Sequence, residues 1–386
     1  MTSGQPKNKL RIAIVGCGKI ADQHVAAVQR LSDCAIVSVC DREMLMADQL
    51  ASRFGIQECY ADLAECIARS KPDVIHITTP PQSHFTLAKQ SLEAGCHVYL
   101  EKPFTVTAME AENIIRLAQG RTLKITAGHN LQFTLEMLRM RELVKRKFLG
   151  DRVVHVESHF SYSLDDASYV GPILGNPDHW VRRLPGQLFH NIISHGIAKL
   201  AEFLGDDLTE IIAVAQQSER LRKIGGREVL DELRVILRDR EGTTALFNFS
   251  TQIKPGLNQL QIFGREGSIV VDHASGSLLC NKAHSDKSYL TYFLPPLRSA
   301  RQNFKNALRN ITDFLGRNLY QDAGMKELID RFYQSVRADG PPPIAYREIV
   351  LTARIMDQIF AQIYPAQQRE AFISDPPEEG FAVANR

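Results

Sequence analysis

The 386-residue chain has no apolar run that approaches a bilayer crossing, which takes roughly 18 or more consecutive apolar residues. Its first eight residues are polar and lead into only a short apolar stretch, without the apolar core and cleavage pattern of a secretory signal. No membrane span and no signal-directed export are therefore expected, and the expected compartment is the cytoplasm. Cysteine is sparse: Cys17, Cys34, Cys40, Cys59, Cys66, Cys96 and Cys280 are odd in number, and no two have the spacing of a zinc or redox motif. That argues against a disulfide framework and a cysteine metal site, and for free thiols in a reducing compartment. No metal is expected. An excess of either charge is also lacking, since 46 Lys and Arg against 44 Asp and Glu leave a net charge of +2. Composition thus offers no electrostatic grip on nucleic acid. There is a single tryptophan, and no internal repeat.

What is present is an ordinary globular composition, 44% hydrophobic and 23% charged, in a chain longer than two domains of roughly 150 residues. Short β-branched runs alternate with amphipathic stretches up to about residue 130. Strands are expected at Arg11 to Val15, Ile36 to Cys40, Asp73 to Ile77, His97 to Leu100 and Leu123 to Thr126, with helical patterns such as Ser83 to Ala94 between them. Near-continuous apolar strands joined by helices imply a parallel sheet covered on both faces, the doubly wound α/β (Rossmann) architecture. Ligands of such sheets lie outside the carboxyl ends of the strands.

The first strand runs into Gly16-Cys17-Gly18-Lys19-Ile20-Ala21. In this pattern one glycine makes the tight turn and the next lets backbone approach a pyrophosphate, while a small third residue packs the helix onto the sheet. The second strand ends in Asp41, at the offset of a ribose-binding acid. An aspartate there accepts from ribose hydroxyls and repels a 2′-phosphate, which favours NAD(H). The adjacent Arg42 keeps NADP(H) possible. The third strand ends in Thr79-Pro80-Pro81, with Ser83 placed to cap the next helix and His84 to pack at its start. The fourth ends in Glu101-Lys102-Pro103, a buried lysine position where a functional role is favoured over a surface ion pair.

The pattern then changes. Val153 to Tyr162, Glu210 to Gln217, Leu230 to Arg238, Thr243 to Thr251, Asn258 to Gly264 and Gly267 to Asp272 alternate as strands of a mainly antiparallel open sheet. Within this α+β region, Asn191 and His195 stand four residues apart, on one face of a helix. A histidine with a pKa near neutrality suits proton removal from a hydroxyl, and a lysine nearby lowers the alcohol's pKa or relays the proton. The expected pair is His195 as general acid/base and Lys102 as its electrostatic partner, with His190 the competing candidate. Trp180, Arg182 and Arg183 are placed to meet a sugar ring and an acidic group or to form an ordinary surface loop. The segment from Leu297 to Leu319 sets Phe304, Leu308, Ile311, Leu315 and Leu319 on one face beside Arg298, Arg301, Lys305 and Arg309. It reads as a core-covering helix, a subunit contact or a membrane-surface helix. The expected division is residues 1–130, 131–365 and a flexible tail at 366–386, with the last helices packing back on the first domain.

The Gly-rich turn, Thr79-Pro80, Glu101-Lys102-Pro103 and the later His195 together resemble the Gfo/Idh/MocA family (glucose-fructose oxidoreductase, inositol dehydrogenase, MocA). The resemblance implies a two-domain NAD(P)-dependent oxidoreductase that acts on a hydroxyl or carbonyl carbon of a sugar, cyclitol or nucleotide sugar. It implies cofactor contacts at Gly16, Gly18, Lys19, Ile20, Asp41, Arg42, Thr79, Pro80, Glu101 and Lys102, and catalytic roles for Lys102, Asn191 and His195. It also implies a homodimer or homotetramer formed through the second sheet. The family's second catalytic segment carries an aspartate four residues before the histidine, where this chain has Asn191, and a glycine where it has Ile193. Asparagine neither accepts a proton nor stabilises an imidazolium by charge. Two alternatives stay open on that ground: a weak or inactive NAD(P)-binding sensor or partner protein, and NAD-assisted glycoside hydrolysis or elimination.

Overall fold

The computed structural model describes residues 9–163, 176, 179–223, 229–282, 288–316 and 323–365. The tail beyond 365 and most of the loop between 164 and 178 lie outside the described residues.

The first sheet contains β1 (Leu10–Val15), β2 (Cys34–Cys40), β3 (Glu58–Tyr60), β4 (Val74–Ile77), β5 (His97–Leu100) and β6 (Ile125–Ala127) in the order β3-β2-β1-β4-β5-β6. Every neighbouring pair is parallel. The crossovers are α1 (Lys19–Gln29), α2 (Met44–Phe54), α3 (Leu63–Ser70), α4 (His84–Glu93) and α5 (Ala108–Gly120). Ile12, Ile14, Val74, Ile75, Val98 and Leu100 are fully buried, as strands covered on both faces require. Thr107 and Glu110 close a reciprocal capping box at the start of α5, which satisfies two N–H groups the helix leaves over.

After α6 (Leu135–Lys145) comes the second sheet: β7 (Val153–Ser161), β8 (Leu208–Gln216), β9 (Glu232–Asp239), β10 (Thr244–Ser250), β11 (Asn258–Gly264), β12 (Gly267–Asp272) and β13 (Ser277–Lys282). Its order is β13-β12-β11-β7-β10-β9-β8, and β7 with β10 is its parallel pair within a mostly antiparallel sheet. On β9, Leu233, Val235 and Leu237 face the core while Ile236 is 51% exposed. α7 (Gln187–Ile192) and α8 (Ser194–Ala201) cover the inner face, followed by α9 (Glu219–Lys223), α10 (Leu294–Leu315), α11 (Ala323–Ala338) and α12 (Tyr346–Ile363). The closing helices divide between the cores. Met325, Leu328, Ile329, Phe332 and Tyr333 of α11 join the first, and Leu351, Ile355, Ile359 and Phe360 of α12 join the second.

Candidate active site

Four strand ends of the first sheet converge on one edge. Gly16 has φ +93°, and a Cβ there would stand 2.7 Å from Thr79 Cγ2 and 2.9 Å from the Thr78 carbonyl carbon. Only glycine fits this turn. Thr78 Oγ1 donates to Gly16 O (2.5 Å) and Val15 O (3.1 Å), tying the turn to the end of β4. Gly18 begins α1 without a side-chain cap, and a Cβ there would have nothing within 4 Å. An eleven-residue helix that presents uncapped N–H groups to open space has the form of a pyrophosphate cradle. The Asp41 carboxylate accepts from Cys17 N–H (2.7 Å) and Glu43 N–H (3.0 Å), so it is held against the turn where a ribose would lie. Lys19 and Arg42 are exposed beside it. These residues fit a dinucleotide.

Ser83 differs from expectation. Its hydroxyl caps no helix and instead donates to Thr79 Oγ1 (2.7 Å) and Pro80 O (2.8 Å), folding the Thr79-Pro80 turn on itself. His84 is fully buried, with Nε2 2.8 Å from Thr79 O and Nδ1 3.0 Å from Pro103 O. It clamps the turn after β4 to the turn after β5.

Behind Lys102 lies a buried chain of hydrogen bonds. Glu101 Oε1 is 3.0 Å from His24 Nε2, His24 Nδ1 is 2.8 Å from His76 Nδ1, and His76 Nε2 is 2.8 Å from the Tyr333 hydroxyl. One proton order satisfies the whole chain with neutral rings: Tyr333 donates to His76, His76 to His24, and His24 to the carboxylate. Burial holds His76 well below the usual histidine range, as that order requires. Burial also pushes Glu101 up, but the His24 hydrogen bond and the charges nearby outweigh it, and the net shift is downward. The other Glu101 oxygen accepts Lys102 N–H (3.0 Å). Gly128 makes room for this carboxylate, since a Cβ there would meet Oε1 at 2.7 Å. The lysine backbone is thus fixed from within the first core. Its Nζ crosses to the second domain and donates to the Asn191 carbonyl (3.1 Å), and burial lowers its pKa.

The helix carrying Asn191 and His195 is not continuous. α7 ends at Ile192 and α8 starts at Ser194. The Asn191 carbonyl is reached by Lys102 at this break, so the residue meets the lysine through its main chain. His195 sits near two lysines, Lys102 and Lys199. Burial, then Lys102, His129, Lys199 and His273, hold it well below the usual histidine range, which leaves a neutral imidazole at neutral pH. Its ring lies 6.4 Å from His129 and 6.3 Å from Phe160. His195 Nδ1, both nitrogens of His129 and Ser194 Oγ are buried without a protein partner, polar groups turned toward space that a ligand or water fills. His190 borders the same space as His129 and Ser194, and its Nδ1 is likewise buried without a protein partner. It stacks on Phe360 at 5.0 Å, and burial lowers it to about 4.

Lys199 was not singled out by sequence, although it stands four residues after His195 in an apolar run. It is fully buried, donates to Asn258 Oδ1 (3.0 Å), and lies 5.9 Å above Phe160. Burial lowers it to about 7 against the pull of Glu136, which itself pairs with His273 at 2.8 Å. Since Lys199 is charged below pH 7 and depresses His195, Lys199→Met should raise the His195 pKa. The acid limb of kcat/KM then moves to higher pH by about half a unit or more. An unmoved limb in the pH profile would remove Lys199 from the site's electrostatics. Trp180 reaches the cleft through its carbonyl, which accepts from Gln82 Nε2 (2.9 Å), so its short helical turn borders the end of β4.

A Rossmann sheet with a dinucleotide cradle, closed by a second domain that brings a lysine and a neutral histidine to the same edge, defines an NAD(P)-dependent oxidoreductase. Comparison with known proteins makes this specific. The family model described as an oxidoreductase family with an NAD-binding Rossmann fold matches residues 10–129, and its C-terminal domain model matches residues 137–270. The chain belongs to the Gfo/Idh/MocA family. It is 32% identical to D-glucoside 3-dehydrogenase of Escherichia coli over 154 residues, 39% of this chain and 43% of that protein. It is 21% identical to myo-inositol 2-dehydrogenase of Thermotoga maritima, over 78% of this chain and 88% of that protein. The WlbA dehydrogenase of Bordetella pertussis, solved with NADH and UDP-GlcNAcA, shares the fold at TM-score 0.71 and 18% identity, covering 92% of this chain and 95% of that one. Among the described residues no helix is long and apolar enough to cross a membrane.

Proposed function

We propose that the enzyme exchanges a hydride between NAD(H) and a hydroxyl-bearing carbon of a sugar, cyclitol or nucleotide sugar. The observation that carries this reading is the meeting of Lys102 with the main chain of Asn191 beside a neutral, partnerless His195 nitrogen. Bound nicotinamide supplies the hydride acceptor or donor. His195 takes the hydroxyl proton as the alcohol is oxidised, and returns it in the opposite direction. The Lys102 ammonium lowers the alcohol's pKa from beside it. Asn191 supports the pair by its carbonyl, which any residue provides, so the replacement of the family's aspartate leaves the lysine anchored. The names of the relatives, D-glucoside 3-dehydrogenase and myo-inositol 2-dehydrogenase, support a polyhydroxylated substrate. Reduction of NAD by a panel of sugars, cyclitols and nucleotide sugars tests the reading, and a panel without turnover would overturn it.

The cofactor preference rests on Asp41. Its carboxylate would face a 2′-phosphate at the ribose, and like charges at close range cost several kcal/mol. Asp41→Ser is expected to lower the NAD(H)-over-NADP(H) ratio of kcat/KM by about tenfold or more. Loss of the Cys17 contact affects both cofactors alike, so the ratio isolates the charge; an unchanged ratio would count against the assignment. Exposed Ile212, Val214 and Ile236 on the outer face of the second sheet support a homodimer or homotetramer formed there.

A further inference from the structure

The 22-residue helix α10 presents its faces in the reverse of the usual order for a helix that covers a core. The side chains it turns toward the protein are polar. Gln302 accepts from Cys280 N–H (2.8 Å) and donates to Cys280 O (3.0 Å), Asn306 donates to Leu278 O (3.0 Å), Asn310 to Ser275 O (2.8 Å), and Asp313 pairs with Arg139 (2.6 Å). The Gln302 and Asn306 amides engage β13, the edge strand of the second sheet, and Asn310 the turn before it, covering backbone groups that would otherwise be an open pairing edge. The buried residue of the helix is Asn306. The opposite stripe is apolar and bare: Leu297, Phe304, Leu308, Ile311 and Leu315 are between 48% and 74% exposed. Tyr292 and Phe293, also exposed, lead into it.

We propose that α10 docks the enzyme on the surface of an anionic lipid bilayer, its apolar stripe resting at the boundary of headgroups and acyl chains. Charge identifies the occupant. Arg301, Lys305 and Arg309 follow one another at four-residue spacing along one border of the apolar stripe, and all three are exposed. Among the described residues none of them forms an ion pair. An apolar stripe bordered by bases is the composition of a helix that lies in the headgroup plane. Each base near an anionic surface adds attraction, and aromatic residues favour the same depth. A second copy fits less well, because an antiparallel two-fold pairing of this helix sets the basic border of one copy against that of the other.

The test is co-flotation of the full chain with phosphatidylcholine vesicles, with and without phosphatidylglycerol, alongside measurement of oligomeric state. The wild type is expected on the phosphatidylglycerol vesicles only, with release by salt. The triple variant Arg301→Glu, Lys305→Glu, Arg309→Glu should bind about a hundredfold more weakly. Leu308→Asp with Ile311→Asp should abolish flotation, while NADH binding in both variants stays at the wild-type level and reports an intact fold. Three results would overturn the proposal: no flotation of wild type with anionic vesicles, flotation that survives the apolar double variant, or an oligomer that this double variant dissolves.

Discussion

Replacement of Lys102 by methionine is expected to lower kcat by about 10²–10⁴-fold, the range over which positioned proton-transfer and electrostatic groups contribute. NADH affinity should change little. The reason is where the side chain's two ends are held. Its backbone is fixed by Glu101, through the buried chain that runs to His24, His76 and Tyr333, whereas its ammonium reaches out to the Asn191 carbonyl. Methionine keeps the stem's apolar packing and removes only the charge and its three donors. The cradle at Gly16, Gly18 and Asp41 belongs to the other strand ends and stays intact. Steady-state kinetics with a separate NADH titration check this; a variant that loses cofactor binding in parallel with kcat would assign Lys102 a binding role instead.

His195→Ala is the second large effect, with a loss of about 10²–10⁴-fold in kcat/KM. Neutral imidazole accepts a proton, and burial and the nearby lysines keep this ring neutral at working pH. Wild-type kcat/KM for alcohol oxidation should therefore fall in acid, as pH drops through the depressed pKa of the ring, and fall again in alkali as the Lys102 ammonium, whose pKa burial lowers, gives up its proton. The alanine variant should lack the acid limb, its residual rate rising with hydroxide. His190→Gln should leave the limb where it is, because the His190 ring is stacked on Phe360 and is not among the groups that shift His195. An acid limb that persists in His195→Ala and vanishes in His190→Gln would exchange their roles.

Much of the first domain was legible because its chemistry is local. Gly16 needs a positive φ, and the residues that follow each apolar run mark the strand ends. His129, two residues after the end of β6, obeys the same rule. β3, three residues at Glu58–Tyr60 paired on one side only, leaves no periodic trace in the sequence. The buried chain behind Lys102 joins positions 24, 76, 101 and 333, which only the fold brings together. Asn191 misled for a different reason. A sequence displays side chains, and here the contact is made by a carbonyl that every residue carries. For α10, periodicity revealed one apolar and one polar face but could not say which of them the sheet edge would take.

The central claim is that Lys102 and His195 carry a hydride-transfer reaction on a hydroxylated substrate. A single-turnover experiment, with enzyme, NAD and each candidate sugar, cyclitol or nucleotide sugar mixed and reduced nicotinamide followed by absorbance, tests it most directly. The account predicts NADH formation with at least one substrate, slowed by deuterium at the carbon that is oxidised and lost in both Lys102→Met and His195→Ala. NADH formation that proceeds undiminished in either variant would contradict it.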